Sequence, residues 1–353
     1  IANVRDSFKK GNKRTILQLA TAGGKCLGKD TPVLMFDGSI KMVQDIVVGD
    51  QLMGVDSKPR NVLSIARGRE MLYKVKQIKG DDYVVNESHS LSLKKTSNKP
   101  CKDRETVNIS VADYLKTNNN FKHLHKGWKS AVDFDKKELT TRIDPYILGL
   151  WLGDGHSRNF TITTMCESAV KAVYDFAEKT GSRVTVIDYK DNKSKGYSVV
   201  GAKKPVVHDL KELNLYMNKH IPDEYLKTDR ESRLELLAGI LDADGYHSKS
   251  GFDVTFKNER LMDDLIYLAR SLGFYCSKSK QKKGIKSTGF VGDYFRTYIS
   301  GDFSCVPFRR PEHVEGFRKR KQIKDVLVTG FSLEKLGVGD YYGFEIDGDR
   351  LFM

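Results

Sequence analysis

The sequence lacks a long apolar run and lacks any closely spaced pair of cysteines. Its longest apolar stretch, around YILGLWLG, is far shorter than the roughly 18 residues that a membrane-spanning helix needs. The five cysteines are odd in number and widely spaced, which argues against a disulfide framework or a CxxC zinc site. A short apolar centre followed by a lysine argues against a signal peptide at the start. We therefore expect an intracellular protein of a reducing compartment, the cytoplasm or the nucleus.

Acidic residues are in the minority. Among 353 residues, 60 Lys and Arg stand against 46 Asp and Glu, which leaves a formal net charge of +14. Such a charge favours polyanionic partners, and it does not distinguish nucleic acid from an acidic membrane surface. Hydrophobic residues make up 39% of the chain and aromatic residues 10%. These values indicate folded cores, and the length suggests about two domains.

The pattern of residue types divides the chain into five segments. Residues 1–25 are a basic amphipathic piece that stops in mid-motif, and residues 26–95 contain short β-rich runs separated by DGS, GDQ, DSKP and KGDD turns. Residues 96–142 are mixed and polar, and we interpret them as a connector or an accessory DNA-recognition segment. Residues 143–305 alternate helices with strands, and residues 306–353 become β-rich again. This order predicts a module inserted into a β-rich host domain.

A unit of helix, strands and helix occurs twice. DPYILGLWLGDG (144–155) and LELLAGILDADG (234–245) are predicted helices that end in an acidic residue and a glycine. Hairpin-like stretches follow, NFTITT and GFDVTF, and each copy continues with a second helix closed by a glycine, ESAVKAVYDFAEKTG and ERLMDDLIYLARSLG. The spacing of about 90 residues between the copies predicts a duplicated αββα unit.

The first helix of each copy carries small residues four positions apart. These are Gly149 with Gly153 and Gly239 with Ala243. Positions i and i+4 share one helix face, so each helix offers a flat strip on which a second backbone can lie unusually close. Facing strips would bring the ends of the two helices together.

The two helices end at Asp154 and Asp244. The C-terminal end of a helix carries partial negative charge, and a second carboxylate nearby adds repulsion. A bound divalent cation removes both penalties, and hard oxygen ligands with open water positions suit Mg²⁺. Metal ions held in this way can activate water for phosphodiester hydrolysis. Either aspartate alone is better explained as a solvated residue in a helix-stop turn, but two copies in register favour the metal site.

LLAGILDADG closely resembles the LAGLIDADG motif of homing endonucleases, and LGLWLGDG resembles its first, more divergent copy. The resemblance covers about residues 143–305. It implies two pseudo-symmetric αββαββα halves whose sheets form a saddle on double-stranded DNA, with divalent metal ions, Mg²⁺, as cofactor.

The same resemblance implies particular site residues. By motif position the metal-binding aspartates are Asp154 and Asp244, with the adjoining Gly153 and Ala243. The family often has a basic residue near the metal ions, and KHIP resembles the block that contains it, which makes Lys219 a catalytic candidate.

Two basic clusters, YKDNKSKGY (189–197) and KSKQKKGIK (278–286), are predicted to lie between strands, where saddle loops meet phosphates. A solvated loop is an equally good explanation of each cluster. The candidate DNA-binding residues are Lys193, Lys195, Lys278, Lys280, Lys282, Lys283, Lys286 and Arg296.

The β-rich segments resemble the Hint fold of inteins, self-excising protein elements that commonly host these endonucleases. Cys26 followed by LGKDTPVLMFDGSIKMVQDIVVGDQLMG matches the amino-terminal splicing block, VVNESHSLSL resembles the block that contains the histidine, and DYYGFEIDGD resembles the penultimate carboxy-terminal block. The fold class is therefore expected to be α+β: an all-β Hint-type splicing domain interrupted by a pseudo-symmetric αββαββα LAGLIDADG domain.

In this family resemblance, the Cys26 thiolate attacks the carbonyl of Lys25 and converts that peptide bond into a thioester. His89 would protonate or polarise the departing nitrogen, because expulsion of an amine needs a proton. Asn86, where the family usually has threonine, would help to orient that amide. Taken singly, Cys26 is equally a small buried hydrophobe and His89 a core histidine; the block spacing favours the catalytic interpretation of both.

TILQLATAGGK resembles the ATP-binding motif of superfamily-two helicases, with Leu19 and Ala22 departing from its usual residues. The intein would then interrupt this motif between its lysine and the hydroxyl residue that holds Mg²⁺. Residues 1–25 would be a remnant of a helicase-like host, and the host segments on both sides would be partners in splicing.

Two features depart from the intein pattern. Inteins end in a His-Asn pair, and the given sequence stops at Met353 before such a pair. Gly343 occupies the position of the aspartate expected in the penultimate block. We therefore expect thioester formation at Lys25–Cys26 and loss of residues 1–25, with full splicing only when a complementing carboxy-terminal fragment is supplied.

The sequence thus predicts protein splicing combined with site-specific double-strand cleavage of DNA, the target being the intein-less allele of the host gene. The alternative is a splicing scaffold whose endonuclease module binds DNA without cutting it. An ATP-dependent helicase is contradicted by the lack of later helicase motifs, and a DNA-binding regulator built on the repeat would not explain Cys26 or the β-rich tail.

Overall fold

The computed structural model describes residues 25–96, 106–190, 193–201, 205–248, 251–285, 290–316 and 325–353. These residues form two compact units. The first unit contains the described residues up to Val132, the segment Gly273–Ser277 and the described residues from Asp325 onward; the second unit contains the remainder. In this described part of the chain, no helix combines the length and apolar character needed to cross a membrane.

The first unit consists mainly of β-strands, numbered here along the whole chain. They are β1 (Lys25–Gly28), β2 (Pro32–Leu34), β3 (Ile40–Met42), β4 (Gln51–Met53), β5 (Pro59–Gln77), β6 (Tyr83–Asn86), β7 (Ser90–Lys95), β8 (Thr106–Ser110), β9 (His125–Trp128), β17 (Val328–Thr329) and β18 (Phe331–Ile346). Two short helices, α1 (Val111–Lys116) and α2 (Asn119–Leu124), lie between β8 and β9. The predicted DGS turn joins β2 to β3: Ser39 donates hydrogen bonds from its backbone and hydroxyl to Asp37 Oδ1.

The principal sheet of this unit has the strand order β18-β1-β6-β5-β4. Strand β18 pairs with β5 from Phe331↔Gln77 to Ile346↔Val62. The sheet therefore joins a strand that precedes the second unit in sequence to one that follows it. Its buried core includes Leu27, Val33, Val43, Leu52, Val75, Val85 and Phe344.

A second sheet of this unit has the order β17-β9-β7-β8. Strand β8 pairs with β7 from Ser90↔Ser110 to Lys94↔Thr106, and β9 pairs with β17. Part of the segment 96–142, interpreted from sequence as a connector, is therefore sheet within the first unit, and the division between units falls after Val132. Strand β8 was not identified from the sequence, because the alternation of polar and apolar residues in TVNIS is too short to predict a strand.

The second unit contains seven α-helices and seven strands among its described residues. The helices are α3 (Pro145–Asp154), α4 (Glu167–Lys179), α5 (Val206–Glu212), α6 (Asp223–Leu226), α7 (Arg230–Asp244), α8 (Glu259–Ser271) and α9 (Pro311–Gly316). The strands are β10 (Thr161–Thr164), β11 (Arg183–Asp188), β12 (Lys195–Val200), β13 (Tyr246–Ser248), β14 (Gly251–Phe256), β15 (Lys278–Ile285) and β16 (Phe290–Ser300), with a further short bridge from Gly155 to Ile162.

The two predicted repeats each contain a sheet. The first has the order β10-β12-β11 and the second β13-β14-β16-β15. Helix α4 packs on β11 and β12, and α8 packs on β14, β15 and β16. In the first copy the predicted hairpin is reduced to the bridge between Gly155 and Ile162, whereas the second copy has a full hairpin of β13 and β14.

Helices α3 and α7 cross at their glycines, as the small-residue strips predict. A Cβ atom added to Gly149 would lie 2.5 Å from the Leu236 carbonyl oxygen and 2.9 Å from the Gly239 Cα. Only hydrogen fits between backbones this close, so the crossing requires glycine. Both helices have side-chain N-caps: Asp144 accepts from the backbone of Ile147, and Asp229 from that of Ser232.

Residues 306–316 pack within the second unit, although the sequence analysis assigned them to the splicing domain. The Phe308 ring lies 5.1 Å from that of Phe252, centroid to centroid. His313 Nδ1 lies 2.8 Å from Asp242 Oδ1, and the backbone of Arg309 donates to Asp242 Oδ2. This segment therefore packs on helix α7. The contacting residues are far apart in sequence, so no local sequence pattern predicts the contact.

Candidate functional sites

Asp154 and Asp244 terminate α3 and α7, and the helix crossing brings these ends together. A Cβ atom added to Gly153 would lie 2.5 Å from the Ala243 Cβ and 3.2 Å from Asp244 Oδ2. Each aspartate is followed by a glycine because the chain turns back over the last helical turn: a Cβ at Gly155 would clash with the Trp151 carbonyl. The structure therefore places both motif aspartates, with Gly153 and Ala243, at one location.

The electrostatics of this location disfavour two free anions. Burial raises the pKa of Asp154 to about 7, and the neighbouring Asp244 carboxylate adds to this rise, while Lys219 and Arg310 oppose it. Burial also raises the pKa of Asp244, and Lys219 again opposes the rise. A cation at this point would therefore stabilise the two carboxylates more strongly than it would stabilise carboxylates at an ordinary surface site.

Lys219 lies directly beside the helix ends. Its Nζ donates to the carbonyl oxygens of Leu152 (3.0 Å) and Gly153 (3.2 Å) and lies 5.1 Å from the centre of the Trp151 ring. Burial lowers the pKa of the Lys219 amine to about 8, although Asp244 and Asp154 favour its charged form. The Asn258 side chain donates to the Lys219 carbonyl (2.7 Å) and so fixes the backbone at this residue.

The residues present fit a divalent cation. Two crowded carboxylates whose pKa values are raised, next to backbone carbonyl oxygens, are hard oxygen donors that a cation would stabilise. The two aspartates are the only acidic side chains in this donor set: among the described residues, no group of three or more His, Cys, Asp or Glu side chains could hold a metal ion.

A groove of about 360 Å³ lies against the sheet β13-β14-β16-β15 of the second unit. It is lined by Asp244, Tyr246, Asp253, Thr255, Gln281, Lys283 and Arg296. The Arg296 guanidinium is held by the Asp253 carboxylate, with Nε 2.8 Å from Oδ1. This groove brings together Lys283 and Arg296, two of the predicted DNA-binding residues.

The placement of KSKQKKGIK in a loop is wrong. Lys278–Ile285 is the edge strand β15, paired with β16 throughout. Alternation along a strand puts Lys278, Lys280 and Lys282 on the face opposite Lys283. The high lysine content of this segment is typical of a loop. Charged residues are also common on edge strands, because they prevent pairing with further strands.

Lys278 and Lys280 make contacts within the second unit that their charge alone did not indicate. Lys278 Nζ lies 2.6 Å from Asp263 Oδ1 and 2.9 Å from Glu259 Oε1, both on α8. Lys280 Nζ pairs with Asp293 at 2.9 Å. Lys278 therefore ties the sheet to the helix behind it.

The remaining basic candidates lie elsewhere. Lys195 begins β12 and lies 3.6 Å from Asp188 on the neighbouring strand, and Lys193 is exposed just before it. Lys286 lies outside the described residues.

Two residues of this site were not identified from the sequence. Arg310 lies in the segment 306–316, and its charge opposes the rise in the pKa of Asp154. Its Nη1 donates to the Asp242 carbonyl at 3.2 Å. Tyr246, two residues beyond Asp244, is 72% exposed in the groove. Its position after the motif was a usable signal, whereas nothing in the local sequence marks Arg310.

The first unit contains the second candidate site. Cys26 lies half-buried on β1, opposite Gly343 of β18, and Lys25 is opposite Phe344. The neighbouring strand β6 pairs with β1 at Leu27↔Val85 and ends at Asn86. The Lys25–Cys26 peptide bond is therefore held as a strand within a sheet.

Asn86, at the end of β6, and His89, three residues later, are both fully buried. The backbone of His89 donates to the Asn86 carbonyl (3.2 Å), which closes a turn between β6 and β7. The Asn86 Nδ2 atom donates to Ser88 Oγ (2.9 Å) and to Glu70 Oε2. Asn86 Oδ1 is buried and accepts no hydrogen bond from the described residues.

Burial raises the pKa of the Cys26 thiol, and the Glu70 carboxylate raises it further, while a hydrogen bond from Asn86 lowers it. The structure thus places Cys26 on the strand next to β6, which ends at Asn86. The roles of Cys26, Asn86 and His89 in cleavage stay predictions. Glu70 was missed, because it reaches the site from the middle of the long strand β5.

The chain matches several known proteins. A family model described as Hom_end-associated Hint matches residues 26–353. Replicative DNA helicase DnaB of Mycobacterium intracellulare is 29% identical over 281 residues, which cover 73% of this chain and 44% of the helicase. An iron-sulfur cluster assembly SufBD family protein of Mycobacterium leprae is 22% identical over 300 residues, 75% of this chain and 34% of that protein. Solved mesophilic variants of the homing endonuclease I-DmoI share 14% identity at a TM-score of 0.35, over 49% of this chain and 96% of theirs.

The family model places the chain in the class of Hint domains associated with homing endonucleases. The chain belongs to the Hom_end-associated Hint family. The strands and helices of the structure, with the family match, confirm the predicted α+β fold class with a Hint-type domain. The chain spans less than half the length of the curated relatives it matches.

Proposed function

We propose that this protein is an intein that cleaves the Lys25–Cys26 peptide bond by an N-to-S acyl shift and cuts double-stranded DNA at a specific site. The observation that carries the nuclease part is the meeting of Asp154 and Asp244 at the ends of two crossed helices, beside Lys219. The observation that carries the splicing part is the position of Cys26 on β1, next to the strand β6 that ends at the buried Asn86.

The splicing chemistry begins at Cys26. The thiol sulfur bonds to the Lys25 carbonyl carbon and loses its proton, and the carbon–nitrogen bond then breaks. The departing nitrogen of Cys26 gains a proton, which His89 supplies or directs. The unpartnered Asn86 Oδ1 is suited to accept a hydrogen bond from that N–H and to hold the scissile amide in position.

The nuclease chemistry uses the residues at the helix ends. Asp154 and Asp244, with the Gly153 and Ala243 backbone, would hold Mg²⁺, and the ion would activate water and stabilise the leaving oxygen. The Lys219 ammonium, between the same carboxylates, would balance negative charge that develops on the phosphate. Tyr246, Lys283 and Arg296 line the groove in which the DNA would lie.

The host protein is proposed to be helicase-like. Two relatives whose names describe unrelated proteins match about three quarters of this chain each and under half of themselves. A shared element inserted into different hosts explains this pattern. We propose that the host segments around the intein and the intein-less allele of the host gene are its partners, and that a reducing compartment keeps Cys26 as a free thiol.

A cleavage assay tests the nuclease proposal. With Mg²⁺ and DNA spanning the uninterrupted host gene, the wild-type chain should make one double-strand cut, and Asp154→Asn or Asp244→Asn should abolish the cut while DNA binding survives. Asp175→Asn, on the exposed face of α4, is the matched control and should cut normally. Binding without cutting by the wild-type chain would instead identify a cleavage-inactive relic.

Mass spectrometry after thiol treatment tests the splicing proposal. The wild-type chain should release residues 1–25, and Cys26→Ala should abolish this release because no thiol remains to attack Lys25. The exposed Cys305 provides the control, and Cys305→Ala should release residues 1–25 at the wild-type rate. Absence of release from the folded wild-type chain, even with a complementing carboxy-terminal fragment, would refute the proposal.

A further inference from the structure

Glu70 lies at the centre of the hydrogen bonds around Asn86. Its Oε2 accepts from Ser88 Oγ at 2.8 Å and from Asn86 Nδ2. Asn86 Nδ2 also donates to Ser88 Oγ at 2.9 Å. The three side chains form a closed ring in which the Asn86 amide nitrogen and the Ser88 hydroxyl are the donors.

This ring fixes which way the Asn86 amide faces. The oxygen and nitrogen of an amide are nearly the same size, so packing alone does not distinguish the two orientations. A carboxylate can only accept hydrogen bonds, so Glu70 selects the orientation that turns the NH₂ group toward it. The Asn86 Oδ1 atom then points away and remains a buried acceptor with no partner among the described residues.

Glu70 also supplies a negative charge near Cys26, where the paired strand β18 has no charged side chain opposite. The residue opposite Cys26 on β18 is Gly343, which has no side chain. Glu70, from β5, acts electrostatically on the Cys26 thiol. Other charged or titratable groups on the strands and turn around it are Arg67, Arg69, Asp340, Tyr342, Glu87 and His89.

We propose that Glu70 is a positioning residue of the splicing site, which acts through its hydrogen bonds to Asn86 and Ser88 and holds Asn86 Oδ1 ready for the scissile amide. The inference rests on the proposed cleavage at Lys25–Cys26. Its charge has a second consequence, since it adds to the effect of burial in raising the pKa of the Cys26 thiol.

The test compares Glu70→Gln with the wild-type full chain in two measurements. Glutamine keeps the shape but can donate as well as accept, so it no longer selects the amide orientation. Thiol-induced release of residues 1–25 should slow about tenfold or more, which is the effect of losing a hydrogen bond to a charged group. The midpoint of the pH profile for iodoacetamide alkylation of Cys26 should move to lower pH, because a nearby negative charge is gone.

Glu87→Gln is the matched control, because Glu87 lies in the same turn and accepts from Tyr73 (3.1 Å) rather than from Asn86. It should leave both measurements near wild type. Glu70→Asp keeps a carboxylate and should restore part of the release rate. The plateau of alkylation at high pH reports thiol access. A variant that merely loosens the fold would raise this plateau and also lower the midpoint, because burial raises the pKa of Cys26. Only a lower midpoint at an unchanged plateau therefore supports the role of Glu70.

The outcomes separate the two levels of proposal. If the wild-type chain does not release residues 1–25, the splicing function fails, whatever Glu70 does. If the wild-type chain releases them and Glu70→Gln matches Glu87→Gln in both rate and midpoint, the role of Glu70 is overturned.

Discussion

At the scale of single residues, both sites contain side chains whose pKa values are shifted by burial and by neighbouring charges. Asp154 is the strongest case, because burial and Asp244 raise its pKa to about 7. The aspartates and Cys26 could be identified from sequence because each stands at a fixed place in a motif. Glu70 and Arg310 could not, since each reaches its site from a distant part of the chain.

The raised pKa of Asp154 predicts how the stability of the metal-free protein depends on pH. Between the unfolded pKa of about 4 and the folded pKa of about 7, the folded state binds more protons than the unfolded state. Stability therefore falls as pH rises through this window and stays low above it. Thermal unfolding in a chelator should show Asp154→Asn to be more stable than wild type at pH 8, by about 1–2 kcal/mol after allowance for solvent screening.

The advantage of Asp154→Asn should shrink as pH is lowered from about 7 and vanish below the unfolded pKa of about 4, where the aspartate is protonated in both states. The exposed Asp175→Asn should show no such trend. A constant difference at all pH values would contradict the assigned cause.

At the scale of helices and strands, sequence periodicity was reliable where an element is long and buried. The four predicted repeat helices are present, and the glycine strips meet at the predicted crossing. Strand β15 was missed because its pairing partner β16, rather than its own residues, determines its structure. The bridge at Gly155 could not be foreseen, since sequence similarity between repeats does not fix strand length.

The α3–α7 crossing predicts a large effect of a small substitution. Gly239→Ala places a methyl group against the Tyr146 carbonyl and the Gly149 backbone, so the helices must separate. We expect a loss of about 2–3 kcal/mol in the free energy of unfolding, as overpacked contacts of this kind show. Chemical denaturation measures it, and Glu231→Ala, on the exposed first turn of α7, should change stability by less than about 0.5 kcal/mol.

The two faces of β15 predict a separation of stability from DNA binding. Lys278→Ala removes the partner of Asp263 and Glu259 on α8 and should lower stability by about 1–3 kcal/mol, with little change in DNA affinity. Lys283→Ala, on the groove face, should leave stability unchanged and reduce the salt dependence of binding by about one phosphate contact. Denaturation and salt titrations of DNA binding measure the two effects, and equal losses of affinity would contradict the assignment.

At the scale of the whole molecule, the alternation of β-rich, helical and β-rich sequence correctly indicated one domain interrupted by another. The domain boundaries were harder to predict from the sequence, because a boundary depends on which side chains pack together in the folded chain. Val132 ends the first unit although the sequence on both sides of it is similarly polar, and residues 306–316 pack on α7 through Asp242, a residue inside the motif.

The pairing of β5 with β18 has a consequence for synthesis on the ribosome. These strands are separated by more than 200 residues of chain, so their contact order is high and their sheet closes late. Cys26 faces Gly343 in that same sheet. The nascent chain therefore cannot complete the sheet around Cys26 until β18 has been translated. The proposed scission at Lys25–Cys26 would thus be delayed until after the second unit has been synthesised.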